Sequence, residues 1–194
     1  RFDLALAVSG LDLGLLSGRA ELGGRVNGSV TLAGEGFTPA TARAKGALTV
    51  TSSRLGALAI SGGDLTARVE AGRLVVEGAR VTTNAGTVAA SGDLVLGPEG
   101  AAGAGGLRGE VRVSDLRPLA DLLGRPGISG AATLTLAARG RPSALDVKAS
   151  LSARALAGPG WRAATLAAEL DAHRVGGPEA RADLRARGRE VAIA

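Results

Sequence analysis

The chain has 194 residues, enough for one large domain or two of ordinary size, and no cysteine, which excludes disulfide staples and thiolate metal sites. One Trp, two Phe and no Tyr or Met leave few of the large aromatics that a compact core of this size recruits, so a thin, elongated sheet is expected. The net charge of +5 is carried almost entirely by Arg scattered among Asp and Glu. Without aromatic stacking platforms that pattern reads as a solvated face and gives no expectation of nucleic acid as a partner.

The chain opens already alternating, Arg1-Phe2-Asp3-Leu4-Ala5-Leu6-Ala7-Val8, and closes in Val191-Ala192-Ile193-Ala194. It is read as a slice of a longer repeat protein. Period-two alternation, which puts apolar side chains on one face of a strand, then dominates. On the apolar side of the first half lie Val26, Val30 and Leu32, then Leu48 and Val50, Leu58 and Ile60, and Leu65 and Val69. Leu74, Val76, Val88, Leu94 and Leu96 follow. Turn signals separate the segments at Gly62-Gly63-Asp64, Glu70-Ala71-Gly72-Arg73 and Thr83-Asn84-Ala85-Gly86. Glycines inside strands, Gly28, Gly92 and Gly130, mark expected bends or bulges.

A Gly-rich connector over 99–106 divides two expected repeat units, 1–98 and 107–194. In the second unit the apolar positions are Val111, Val113, Leu134, Leu136, Leu145, Val147, Leu151, Leu166, Leu170 and Leu184. A further turn is expected at Gly158-Pro159-Gly160. One short helix is expected near 116–124, with Asp115 as cap, Pro118 in the first turn and Gly124 as stop. Clean alternation with short turns belongs to an antiparallel meander with one dry and one wet face.

The two units repeat each other. Val8-Ser9-Gly10-Leu11 through Leu16 returns as Val113-Ser114-Asp115-Leu116 through Leu123, and Gly28-Ser29-Val30-Thr31-Leu32 as Gly130-Ala131-Ala132-Thr133-Leu134. Asp64 to Glu70 answers Thr165 to Leu170. Self-similarity at a fixed period points to stacked units that bury apolar surface against their neighbours. The period is long, so each unit holds several strands.

Catalytic chemistry is scarce. The one histidine, His173, beside Asp171 at a strand end, reads as exposed, and no Ser lies in a Gly-x-Ser-x-Gly elbow. The connector fails Gly-x-Gly-x-x-Gly at Arg108. No enzyme activity, metal or cofactor is expected.

The Val8–Leu16 and Val113–Leu123 phrases resemble the AsmA-like superfamily and, within it, the TamB family. So do the Gly-x-Val-x-Leu strands at 28–36 and the Gly-Asp-Leu strand starts at Gly63-Asp64-Leu65 and Gly92-Asp93-Leu94. The resemblance implies a mainly β fold: a curved antiparallel meander folded into an open U-shaped trough (a β-taco) with a hydrophobic inner face. It implies a periplasmic protein, anchored in the inner membrane by a segment outside this chain, that carries phospholipid toward the outer membrane. It also implies help to an outer-membrane β-barrel assembly protein.

The apolar positions named above are then the lining of a lipid groove, with phospholipid acyl chains as ligand and exposed sheet edges through which two copies could pair. Alternation alone leaves open a second sheet against the same face, a filled core serving as a scaffold or adhesin stalk. Stalk solenoids tend to show shorter rungs of about 20–30 residues, which are not evident here.

Overall fold

The computed structural model describes residues 1–18, 22–36, 38, 41–70, 72–95, 106–141 and 144–193. In chain order the strands of the first half are β1 (Phe2–Leu11), β2 (Gly24–Glu35), β3 (Arg43–Val50), β4 (Ser53–Leu55), β5 (Leu58–Glu70), β6 (Arg73–Thr83) and β7 (Gly86–Val95). The second half has β8 (Gly106–Val113), β9 (Ser129–Arg141), β10 (Ala144–Gly158), β11 (Trp161–Val175) and β12 (Arg181–Ile193). Helix α1 (Leu13–Ser17) joins β1 to β2, and α2 (Arg117–Leu122) joins β8 to β9.

All twelve strands form one antiparallel sheet, a meander from β1 to β12 in which β4 stands aside and pairs with β2 and β5. The mainly β antiparallel fold expected from alternation is the one observed. The two helices repeat the same strand–helix–strand unit at the two places where the sequence repeats itself. β7 pairs directly with β8, so the sheet runs unbroken past the expected unit boundary. Of the 99–106 connector only Gly106 is among the described residues, and it already belongs to β8.

Turns fall where expected between β5 and β6, β6 and β7, and β10 and β11. Gly62-Gly63-Asp64 corrects the sequence reading: it is no turn but the middle of β5, where pairing with β6 slips between Ile60 and Gly62. Leu58/Ile60 and Leu65/Val69 are therefore one strand broken by a bulge. The Gly-Asp-Leu phrases at 63–65 and 92–94 likewise lie inside β5 and β7 and do not start strands. A glycine pair serves a bulge as well as a turn, since both need backbone that carries no Cβ.

The strand glycines do what their positions suggested. Gly92 has φ +127° beside the β6–β7 slip, and Gly130 has φ +131° beside the β9–β10 slip. Gly28 faces the slip between Val8 and Leu11. The sheet also curves across β7, β8 and β9, where the pairing keeps its register. Cα atoms of β7 and β9 approach within 8 Å although β8 lies between them, closer than the roughly 9.5 Å of two flat strand spacings.

Helix α2 is shorter than 116–124. Asp115 accepts from the Arg117 backbone N–H at 3.0 Å, but the N-cap position is Leu116, which has no side-chain cap. Gly124 follows the last turn at φ +66°. α1 is capped by Asp12, which accepts from Gly14 and Leu15 at 2.8 and 3.2 Å. Neither helix reaches two full turns, so packing must hold them. Leu116, at the start of α2, rests with Ala132 and Leu166 on the buried cluster Ala153, Leu156 and Ala163.

Candidate apolar face

Strand register decides whether alternating residues on separate strands join into one surface. Here they do. One row crosses the whole meander from edge to edge: Leu6, Val30, Leu48, Leu65, Ala79, Ala90, Gly109, Leu136, Ala149, Leu170 and Leu184. A second runs beside it through Val8, Gly28, Val50, Gly63, Val81, Val88, Val111, Leu134, Leu151, Ala168 and Ala186. A third passes through Leu4, Leu32, Gly46, Ala67, Val76, Gly92, Leu107, Ala138, Val147, Ala172 and Ala182.

No polar side chain interrupts any of the three rows. Ten strand spacings of about 4.8 Å give each a length of about 48 Å along the curved surface.

The other expected groove residues extend this face toward the strand ends. Val69, Leu74 and Leu94 continue a partial row from Phe2, Gly34 and Ala44. Val113 and Leu166 flank Ala132 and Ala153 at the α2 end. Leu145 pairs with Gly140 and Val175, Val26 with Leu11, and Leu58 with Leu55. Ile60 stands opposite Ser53 and Thr83. Leu96 lies outside the described residues.

Reasoning from sequence missed Val81 as a member and left Leu4, Leu6, Val8 and Leu107 out of the lining. Val81 was hidden by the β6 slip, which moves the apolar positions from even (Leu74, Val76) to odd (Ala79, Val81). Alternation in Leu4-Ala5-Leu6-Ala7-Val8 was the available signal for β1.

Among the described residues every strand belongs to the one sheet, and no second sheet lies against this face. Most of its side chains are half-buried by their neighbours. Toward the edges they stand open, Leu6 at 52 % and Leu184 at 70 % exposure. A hollow of about 250 Å³ over β2, β3, β5 and β6 has small residues, Ala44, Gly46 and Ala67, set among Val30, Leu32, Leu48, Leu65, Val69 and Leu74.

The opposite face carries matching polar rows, for example Ser29, Thr49, Asp64, Arg80 and, further along, Glu110, Thr135, Ser150, Glu169 and Arg185. A hollow of about 740 Å³ lies over β8 to β12 and is bordered mostly by residues of the polar side. Lys148 donates to Asp171 at 2.8 Å, and that bond is the main reason the Asp171 carboxyl is held below its usual pKa.

His173 is half-exposed and bridges two strands, Nδ1 at 3.3 Å from Asp146 and Nε2 at 3.2 Å from the otherwise unpartnered Oδ1 of Asp171. Such a hollow has mixed charge and no concentrated sign. The apolar face, by contrast, is of one chemical kind over its full length.

No protein-family model matches the chain, and neither the curated proteins nor the solved structures contain a match. No helix among the described residues is long and apolar enough to cross a membrane.

Proposed function

We propose that this chain is a periplasmic segment of an AsmA/TamB-like protein whose apolar face shields phospholipid acyl chains in transit between inner and outer membranes. The observation that carries the reading is the unbroken set of apolar rows from β1 to β12, with no second sheet against them among the described residues. An acyl chain of about 16 carbons crossing water exposes methylenes at about 0.8 kcal/mol each, roughly 12 kcal/mol in all. A continuous aliphatic surface removes most of that penalty while headgroups stay in water. Leu, Val, Ala and Gly offer no side-chain hydrogen bonds, so nothing along the rows would hold a lipid at one place.

In this reading the partners are the acyl chains, the inner membrane through an anchor elsewhere in a longer protein, and an outer-membrane β-barrel assembly protein. A second copy is a further partner through a sheet edge.

The test is uptake of a phospholipid with a fluorescent acyl tag from liposomes by the purified protein. Leu134→Asp or Val147→Asp, each placing a carboxylate inside a row, is expected to lower uptake at least tenfold with the far-ultraviolet spectrum unchanged. Equal uptake by wild type and both variants refutes the reading.

A further inference from the structure

We infer that the polar side of β2 and β4 carries a binding site for a phosphate monoester, formed by Arg25 and Arg54. β4 stands aside from the meander and sets Arg54 directly opposite Arg25. Directly opposed residues of an antiparallel pair lie about 4.5–5.5 Å apart at Cα, and like charges so placed repel. Both Arg are exposed, and among the described residues neither guanidinium forms an ion pair or a side-chain hydrogen bond.

The surroundings supply no counter-charge at the pair. On the far side of β4, Arg54 meets Ala59 of β5. The first carboxylate further along β5 is Asp64, which faces Arg80. Asp12, the next residue past the Leu11–Val26 pair, turns its carboxylate to the Gly14 and Leu15 N–H groups as the cap of α1. A hollow of about 540 Å³ lies over the Arg pair, and no Asp or Glu borders it. Asn27, Ser52, Ser61 and Asn84 share its rim with the two Arg.

Two amide side chains hold this frame. Asn27 donates from Nδ2 to the Ser52 carbonyl at 2.7 Å, and its backbone N–H donates to the buried Ser53 Oγ at 2.9 Å. Asn84 donates from Nδ2 to the Ala57 carbonyl at 3.1 Å and accepts from the Ala59 N–H at 3.0 Å. Each amide nitrogen carries a second N–H that could serve a ligand.

A phosphate between the two guanidinium groups turns their repulsion into attraction on both sides. A carboxylate has two oxygens, enough for one Arg fork. A phosphate monoester has three terminal oxygens and about −1.5 to −2 charge at neutral pH, which suits two forks. The same group occurs on soluble phosphate esters and on the lipid headgroup of phosphatidate.

The test works at low ionic strength, where exposed charges are least screened. Glycerol 3-phosphate is titrated against the backbone amide NMR signals, with glycerol as blank. Co-sedimentation with phosphatidylcholine vesicles containing phosphatidate is compared with plain phosphatidylcholine vesicles. Binding is expected, and shifts from the soluble ester are expected to centre on 24–27 and 53–55. A response to glycerol 3-phosphate identifies a soluble ester as sufficient, and a response to phosphatidate vesicles alone identifies the headgroup. Arg25→Gln and Arg54→Gln are each expected to weaken binding at least about tenfold, whereas Arg80→Gln, which removes the same charge from the same side, leaves it unchanged. Arg54→Lys keeps the charge without the fork and is expected to recover little of the loss. The hollow lies on the polar side, so acyl-chain uptake by the apolar rows is expected to be the same in all four variants. No response to either probe, full binding by Arg54→Gln, or an equal loss in Arg80→Gln would each overturn the proposal.

Discussion

At Gly28 a methyl group would stand 2.4 Å from the Thr49 carbonyl oxygen, and at Gly92, with φ +127°, 2.1 Å from that of Gly106. Both are backbone contacts that cannot swing aside. Gly28→Ala and Gly92→Ala are therefore expected to destabilise the protein by about 1–3 kcal/mol in urea titration. Gly78, whose added Cβ meets nothing within 4 Å, is the control: Gly78→Ala is expected to fall within about 0.5 kcal/mol of wild type.

Asp171 gives a second expectation at this scale. Its folded pKa lies below the ordinary 3.8, chiefly through the Lys148 hydrogen bond. The Asp171 contribution is thus complete above the unfolded pKa and is lost as pH falls below 3.8 through the lowered folded value. Melting temperature against pH should show a drop in that window that is smaller in Asp171→Asn. An equal drop in the variant places the acid sensitivity elsewhere.

The elements are held by pairing along the sheet and by one buried cluster where α2 meets β9, β10 and β11. Leu156 is its largest buried member, so Leu156→Ala is expected to cost about 2–4 kcal/mol by equilibrium unfolding, with loss of protection in α2. A cost near zero would mean that α2 is held by something other than this cluster.

Strand existence and the apolar side of each strand were legible because period-two alternation survives in the sequence. The places that resisted have a common physical cause. A bulge inserts a residue, flips the parity of the apolar positions and is written with the same glycines as a turn, as at Ser61-Gly62 and Glu77-Gly78. β4, three residues long, carries too little pattern to be seen. The candidate site was legible residue by residue. Its continuity was not, since joining Leu65 to Ala79 or Val88 to Val111 requires strand register, which the pairing of distant segments sets.

Taken whole, the molecule is a curved, two-faced sheet whose apolar rows reach both edges. A single sheet this apolar on one side leaves far more hydrocarbon uncovered than a soluble monomer usually shows. That uncovered face is what the proposed lipid path rests on.

Native mass spectrometry of the purified protein, with lipid extraction from the same sample, tests this most directly. The account predicts bound phospholipid masses that disappear in Leu134→Asp and Val147→Asp. A lipid-free mass that stays unchanged after incubation with liposomes would contradict it.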